Sequence, residues 1–287
     1  MATTVGSSFE GLKSRLEITG LQKTTVSTRQ QNVREAVEQE LNILDSFLTG
    51  SYSRRTMIAP LKEADVDIFV VLSSAYYERN SQAQLLDKLR TVLLRTYPNT
   101  PKISRNGQAV TITFTDFVVD VVPAYNREGG GFLIPNSITK RWISTDPRVH
   151  VDLMNKQNDI HNGDLVPIAK MIKAWNRTIN RPFRSLYLEL LAVQIFQNVR
   201  ISDFPSGMRY FFDKGRESIK YKVTDPVEYG EQINGLENVS TVAEAVSRFE
   251  TAYSRARKAE EYASRGWIAN AIVEWKKIFG DYFPTYG

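Results

Sequence analysis

The sequence predicts an α+β fold, with a sheet and its flanking helices in the first half of the chain and a helical lobe after it. The first half contains two runs rich in β-branched residues, DVDIFVVL at 65–72 and AVTITFTDFVVDVVP at 109–123, which are typical of strands. After residue 146, apolar residues recur at the three- and four-residue steps of helices. We therefore expect a sheet-containing domain over residues 1–145 and a helical domain over residues 146–287.

The first helix is predicted over residues 28–48 and ends at Gly50. Its apolar residues lie three or four positions apart, as on one face of a helix: Val33, Val37, Leu41, Leu44 and Leu48. We expect this spine helix to pack along both halves of the protein and to place the residues after Gly50 at the mouth of a site. Residues 1–15 are polar, and we expect them to be loose at the terminus.

The other elements of the first half are a strand over residues 65–72, a helix that starts near Ser81, and the strands within 109–123. Ser81 and Gln84 have the spacing of a capping box, in which each side chain accepts a hydrogen bond from the other residue's backbone N–H. The glycines at 129–131 are not framed by a buried strand and a capped helix, as a phosphate loop would be. We interpret them as a flexible turn.

The helical half begins at Asp146-Pro147, where an acidic cap precedes a proline in the first helical position. Four further helices are predicted, the last of them broken near Gly266: 165–177, 185–198, 206–216 and 241–279. Lys170 and Lys173 share one face of the first of these helices. Their pattern alone favours a solvated helix face.

Asp65 and Asp67 are the first candidate catalytic pair. In a strand they share one face with Cα atoms roughly 7 Å apart, which suits two magnesium ions about 3.5 to 4 Å apart. Magnesium takes oxygen ligands, so an Asp-x-Asp motif suits magnesium better than zinc. Upstream, Gly50 permits close approach of a phosphate to the backbone, and the Ser51 hydroxyl can donate to it. The alternative is a solvated strand edge or turn without chemistry.

Asp120 is the third candidate carboxylate. Valines flank it on both sides in a predicted strand, and a lone carboxylate is costly to bury there unless it is paired or bound to a metal. Asp116, nearer the start of the run, is naturally interpreted as an edge-strand charge that discourages aggregation. The central position of Asp120 instead favours a role beside Asp65 and Asp67.

Composition favours an intracellular enzyme that binds anions. The 287 residues contain no cysteine, so disulfides and thiolate metal sites are excluded. We find no signal peptide and no apolar run near the roughly 20 residues of a membrane span, and we expect a cytoplasmic location. The net charge of +5 favours ligands such as triphosphates, but the cations are scattered, so no dedicated nucleic-acid surface is predicted.

The sequence contains two histidines, His150 and His161. Neither belongs to a visible Ser-His-Asp arrangement or to a spacing that would ligate a metal. We predict that both are surface residues and not catalysts.

Taken together, Gly-Ser, then Asp-x-Asp, then a single Asp on a later strand resemble the polymerase-β-like nucleotidyltransferases. The details resemble the bacterial CD-NTases, the cyclic-oligonucleotide synthases related to cyclic GMP-AMP synthase and oligoadenylate synthetase. The matching segments span almost the whole chain in the expected order: GSYSRRTMI at 50–58, ADVDIFVVL at 64–72, VDVVPAY at 119–125, KMIKAWN at 170–176, SLYLELL at 185–191, TDPVEYG at 224–230 and AIVEWKKIFGDYFP at 271–284.

The resemblance implies a polymerase-β-like core with a mixed sheet, a helical lobe that closes a nucleotide cleft, and synthesis of a cyclic di- or trinucleotide from ATP, GTP or other nucleoside triphosphates. It also implies a role in CBASS antiphage signalling. The family pattern assigns two Mg²⁺ or Mn²⁺ ions to Asp65, Asp67 and Asp120. It assigns binding of the donor nucleotide to Gly50, Ser51, Lys173 and Ser185. Ser185 would also cap its helix.

The same resemblance implies ancillary CBASS partners. Some members of the family are conjugated through a small terminal residue by ubiquitin-like transfer machinery, and Gly287 is the candidate here. A nucleic-acid activator is not favoured by the scattered charge, and no membrane partner is expected.

Two other functions remain open on the sequence. A linear oligonucleotide synthetase, or an antitoxin-type enzyme that adds nucleotides to RNA or protein, would share all three aspartates and differ only in its acceptor. A catalytically silent nucleotide-binding or interaction protein could share the fold. The complete carboxylate set argues against the silent protein, because such a protein has no reason to retain three costly acids.

Overall fold

The computed structural model describes residues 3–77, 79–100 and 102–287. The helices are α1 Val5–Leu16, α2 Gly20–Glu38, α3 Gly50–Ser53, α4 Gln82–Thr96, α5 Pro147–Ile160, α6 Leu165–Thr178, α7 Ser185–Phe196, α8 Phe204–Ser218, α9 Val242–Ser264 and α10 Ile268–Phe279. The strands are β1 Ile43–Thr49, β2 Asp65–Leu72, β3 Lys102–Asn106, β4 Ala109–Thr113, β5 Val118–Asn126, β6 Phe132–Asn136, β7 Arg141–Thr145, β8 Val223–Thr224 and β9 Gln232–Ile233.

Seven strands form one mixed sheet, which confirms the predicted α+β class. The order is β1-β2-β5-β4-β3, and β6 pairs with the end of β5 and with β7. The β2–β5 pair is parallel, whereas β1–β2, β4–β5 and β3–β4 are antiparallel. Strands β2 and β5 therefore lie side by side in the interior of the sheet and run in the same direction.

Alternation along β2 and β5 gives the sheet two different faces. Val66, Ile68 and Val70 face a large core that also contains buried residues of α2 and α4, such as Val33 and Leu89. The opposite face carries a smaller apolar cluster that includes Phe69, Val71, Val122 and Ala124, together with Phe132 and Ile134 of β6. Because side chains two apart share a face, the three candidate aspartates lie on this second face, at the starts of the same strands.

The predicted helix over residues 28–48 is wrong in its second half. Helix α2 ends at Glu38, and residues Ile43–Thr49 form β1. The spacing of Leu41, Leu44 and Leu48 continues the helical period by coincidence, because Leu44 is 55% exposed, whereas Leu41 is buried. Gly50 therefore follows a strand and does not terminate a helix.

The chain divides into two compact units, which differ from the predicted division at residue 145. The unit that contains the large sheet, the sheet unit, comprises residues 18–152 and 226–230; the other, the helical unit, comprises residues 1–17, 153–225 and 231–287. The predicted boundary falls seven residues before the helical unit resumes. Helix α1 belongs to the helical unit because it packs on α6, α8 and α10.

Helix α1 is an element that the sequence analysis did not predict. The expected loose tip, residues 1 and 2, lies outside the described residues. Thr4 and Ser7 form a capping box, and the apolar residues of one face are buried: Phe9, Leu12 and Leu16. The Phe9 ring lies 4.9 Å from the Trp275 ring and 5.2 Å from the Phe283 ring, in both cases edge to face. These aromatic contacts tie α1 to the end of the chain.

We expect Phe9→Leu to lower the free energy of unfolding by about 1 kcal/mol, because leucine fills most of the volume but loses the edge-to-face contacts. Urea unfolding followed by tryptophan fluorescence measures the change. Tyr286→Leu is the control, because Tyr286 is 52% exposed and should contribute little. Equal stability of the Phe9→Leu variant and the wild type would contradict the packing of α1.

Most of the predicted helices are confirmed to within a few residues. The Asp146 carboxylate accepts from the backbone N–H of Arg148 at the start of α5, and Ser81 and Gln84 form the predicted capping box of α4. The last helical stretch breaks as expected, since α9 ends at Ser264 and α10 begins at Ile268. In the described part of the chain, no helix combines the length and the apolar character of a membrane span.

The two histidines are buried, so the prediction of surface positions is wrong. His150 is 6% exposed and His161 is 7% exposed. Both belong to the segment of α5 and its following turn, where neighbouring elements cover them; the Phe196 ring lies 6.3 Å from the His161 ring. The polarity of histidine predicts an exposed side chain, and the sequence around it does not reveal the burial, because residues that cover the ring, such as Phe196 at His161, are distant in sequence.

Candidate active site

The register of the sheet brings the three predicted carboxylates together. Asp67 on β2 is the direct partner of Asp120 on the parallel strand β5, and Asp65 lies two residues before Asp67 on the same face. On the other side of β2, Thr49 is the antiparallel partner of Asp67. Asp65 is exposed, whereas Asp67 and Asp120 are half-buried. The site is therefore an acidic strip at the open end of the second face of the sheet.

Gly50 lies against the carboxylate of Asp67. Its backbone has φ +64°, a left-handed conformation that glycine adopts without steric cost. A Cβ at this position would overlap Oδ2 of Asp67 and would lie 2.7 Å from its Cγ. Both the conformation and the available space therefore require glycine, and the close approach places the backbone of residue 50 beside the carboxylates.

The turn after Gly50 is held by its own hydrogen bonds. The Ser51 carbonyl accepts from the backbone N–H groups of Thr56 and Met57 at 2.9 and 3.0 Å. The Ser53 hydroxyl donates to the Leu48 carbonyl at 2.6 Å, which links the turn to the end of β1. These hydrogen bonds fix the backbone of Ser51, which lies two residues after Thr49, the strand partner of Asp67.

The acidity of the Asp120 carboxyl group is perturbed by its surroundings. Burial raises its pKa, a hydrogen bond from Thr111 lowers it, and the negative charge of Asp65 raises it again, with a net increase. Thr111 on β4 is the strand partner of Asp120, and its hydroxyl donates to Oδ1 at 2.5 Å. Asp65 pairs with Val118, two residues before Asp120 on β5, so the two carboxylates are neighbours on the same face of the sheet.

We expect Thr111→Val to lower the turnover number of this site about tenfold, because it removes a hydrogen bond to a charged group and frees the Asp120 carboxylate to rotate. Thr113→Val, on the same strand and the same face, is the matched control. Initial rates of the nucleotide incorporation that the family resemblance implies, at saturating substrate, measure the effect, and unchanged melting temperatures exclude unfolding. Equal losses in the two variants would show that the Thr111 bond does not position Asp120.

The three aspartates fit magnesium by their donor chemistry. Over residues 3–77, 79–100 and 102–287, no three His, Asp or Glu side chains form a ready-made metal cage. Magnesium does not need one, because it usually takes one or two carboxylates and completes its shell with water and substrate phosphates. Asp65, Asp67 and Asp120 supply oxygen donors only, on adjacent strands, and their mutual repulsion is the kind that a cation relieves.

Lys173 and Ser185 both lie in the helical unit, whereas the three aspartates lie in the sheet unit. The contact of Lys173 and Ser185 with a donor triphosphate stays a prediction. Lys173 is 7% exposed and pairs with Glu189 at 3.2 Å. Ser185 is the exposed first residue of α7. It does not cap the helix as predicted, because Arg184 occupies the N-cap position.

The solvated helix face that the lysine pattern alone favours is not observed, since α6 is buried from Leu165 to Asn176. Each lysine has a carboxylate partner from another segment, Glu17 for Lys170 and Glu189 for Lys173. Glu189 and Thr111 are contacts of candidate site residues that sequence reasoning missed. Glu189 stands in the apolar run SLYLELL, where an isolated charge is the available signal, whereas only the strand register reveals Thr111.

A model of the Second Messenger Oligonucleotide or Dinucleotide Synthetase domain matches residues 3–158, more than half of the chain. The match includes the three aspartates, Gly50 and Ser51. It ends within α5, before Lys173 and Ser185.

Two curated relatives are similar over most of their length. A probable cyclic nucleotide synthase of Bacillus cereus (strain VD146) is 26% identical over 270 residues, covering 83% of this chain and 81% of that protein. The CBASS oligonucleotide cyclase CdnC of Escherichia coli (strain KTE188) is 24% identical over 271 residues, covering 86% and 85%. Among solved structures, the E. coli MS115-1 CdnC:HORMA-deltaN complex has a TM-score of 0.75 at 18% identity, covering 97% of this chain and 98% of that one. This likeness shows a shared fold.

Proposed function

The chain belongs to the Second Messenger Oligonucleotide or Dinucleotide Synthetase family, and we propose that it joins ribonucleoside triphosphates into a cyclic di- or trinucleotide with release of pyrophosphate. The pairing of Asp67 with Asp120 on parallel strands, with Asp65 on the same face, is the observation that carries this function. Three carboxylates on one strip suit the transfer of a nucleotidyl group between bound triphosphates, because that reaction depends on positioning and charge neutralisation.

Gly50 and Ser51 are proposed to hold the donor phosphates. The missing side chain at Gly50 lets an oxygen approach the backbone beside Asp67, and the Ser51 hydroxyl can donate to it. Magnesium ions held by Asp65, Asp67 and Asp120 would neutralise the triphosphate and polarise the attacking hydroxyl. The fixed turn after Gly50 keeps the phosphate-binding backbone at a constant position relative to the strand that carries Asp67.

Asp120 is proposed to receive the proton of the acceptor ribose hydroxyl. It is the half-buried carboxylate opposite Asp67 on the parallel strand, and a carboxylate within hydrogen-bond reach of a hydroxyl can act as a general base. The hydrogen bond from Thr111 occupies Oδ1, which leaves Oδ2 to face the acceptor. A second attack of the same kind, by the hydroxyl of the linear product, closes the ring.

The biological role that we propose is signalling in antiphage defence. The similarity to a CBASS oligonucleotide cyclase supports this role, and it supports a cytoplasmic enzyme whose cyclic product activates a separate effector. The structural neighbour solved as a CdnC:HORMA-deltaN complex supports an ancillary partner of the same kind.

The test is incubation of the purified protein with Mg²⁺ or Mn²⁺ and all four radiolabelled ribonucleoside triphosphates, followed by phosphatase and mass spectrometry. We expect a phosphatase-resistant product with the mass of a cyclic di- or trinucleotide. The product should be absent with EDTA and absent in Asp65→Ala, and the mass identifies the bases.

A product that phosphatase degrades completely would contradict ring closure and favour a linear synthetase. Labelled protein or RNA in place of a small product would favour an antitoxin-type transferase. If the purified protein yields nothing, the assay is repeated with lysate of phage-infected cells, and a silent result there would contradict the proposed enzyme.

A further inference from the structure

A pocket of about 290 Å³ lies in the helical unit, between two turns that join its helices. One wall is formed by Ile160, His161 and Asn162, at the turn from α5 to α6, and the other by residues 198–201, in the loop from α7 to α8. Asn162 and Asn198 both have left-handed backbones, with φ +54° and +62°. Asparagine tolerates this conformation better than most residues, so both turns are specified by the sequence.

The polar side chains of this pocket have no hydrogen-bond or ion-pair partners among the residues that the structure describes. In the described ranges of the chain, no hydrogen bond or ion pair is made by the side chains of His161, Asn162, Asn198 or Arg200. The His161 ring is the unusual member, because it is 7% exposed and its Nε2 atom is buried without a hydrogen-bond partner. Buried polar atoms are almost always satisfied, so an exception calls for a physical cause.

The charge and shape of the pocket define what could fill it. Arg200 is the cationic side chain of the lining, and Asp164, in the same turn as His161, does not line the pocket. Burial lowers the pKa of His161, although Asp164 opposes the shift, so the ring is neutral near pH 7 and can donate one N–H. Val199 and Ile201 add an apolar part to the lining.

We propose that this pocket binds a small organic oxyanion, a carboxylate or a phosphate ester with a compact apolar body. Arg200 pairs with the oxyanion, the amides of Asn162 and Asn198 donate to it, and the apolar body contacts Val199 and Ile201. The volume lies at the lower end of the range for ligand pockets, so the ligand is smaller than a nucleoside triphosphate. The carboxylate strip of the sheet unit is not involved, and the proposal is independent of the proposed synthase activity.

The test is NMR of the imidazole C–H groups of the full chain, titrated with benzoate, phenyl phosphate and benzamide at constant ionic strength. The chain has two histidines, so either His161→Gln or His150→Gln assigns both signals. We expect a saturable shift of the His161 signal with benzoate or phenyl phosphate and an unchanged His150 signal. The tighter of the two anions identifies carboxylate or phosphate as the preferred class. Benzamide, which has the shape of benzoate without its charge, should give no saturable shift.

Arg200→Gln should weaken binding of the preferred anion about tenfold or more, because it removes a charge-assisted contact. Arg79→Gln is the matched control: Arg79 is also exposed, belongs to the sheet unit, and has no partner in the described residues. Its affinity should equal that of the wild type. The proposal is overturned if no anion gives a saturable shift, if benzamide reproduces the shift, or if Arg200→Gln binds as tightly as the control.

Discussion

Replacing Asp67 with asparagine should reduce formation of the cyclic product by at least about 10³-fold, because the amide keeps the shape of the side chain and removes the negative charge that a metal ion requires. Asp67 is the central member of the strip, between Thr49 on β1 and Asp120 on β5. Both bonds of the ring depend on the same carboxylates, so neither the linear intermediate nor the ring should accumulate. Mass spectrometry of the phosphatase-treated reaction measures both.

The same substitution should leave the fold intact. Removing one of three neighbouring negative charges relieves repulsion, so we expect a melting temperature equal to or slightly above that of the wild type. Asp159→Asn is the matched control, because Asp159 is an exposed residue of α5 and lies outside the carboxylate strip. Undiminished synthesis by the Asp67→Asn variant would refute the assignment of this strip as the catalytic centre.

The carboxylate site could be predicted because its signal is local. Alternation along a strand puts Asp65 and Asp67 on one face, and the same rule puts Phe69 and Val71 on the apolar continuation of that face, as the structure confirms. Asp120 was identified by the cost of a lone carboxylate among valines. The family resemblance joined these segments, and the family match and the parallel register of β2 and β5 agree with it.

The errors occur where a pattern has two interpretations or where the partner is distant in sequence. Residues 41–48 fit a helical period, yet β1 forms there because pairing with β2 satisfies its backbone and packs the half-buried Ile43 and Leu48 against the large core. Lys170 looks solvated until Glu17, 153 residues away in the chain, supplies its carboxylate. Such pairings depend on tertiary structure, which single-sequence periodicity does not contain.

Gly50 is restricted both by its left-handed backbone and by the Asp67 carboxylate beside it. Sequence reasoning chose glycine there for close approach of a phosphate, but it placed Gly50 after a helix. The structure places it after β1 and adds a second requirement, since the space that a side chain would need is occupied by the Asp67 carboxylate. The geometry of the carboxylate strip and the local backbone conformation are therefore coupled at one residue.

Gly50→Ala should lower the rate of product formation by at least about 10²-fold, because the new methyl group forces the Asp67 carboxylate away from Asp120, and a displacement near 1 Å suffices for such a loss. The left-handed backbone adds a stability cost of about 1 to 2 kcal/mol for a residue with a Cβ.

Gly266→Ala separates the effect on the carboxylate from the effect on the backbone. Gly266 also has a positive φ, +78°, but a Cβ there would meet nothing within 4 Å. We expect both variants to lose similar stability in urea unfolding and only Gly50→Ala to lose synthesis. Undiminished synthesis by Gly50→Ala would contradict the close packing of Gly50 on Asp67. An equal loss of synthesis in both variants would assign the defect to backbone strain alone.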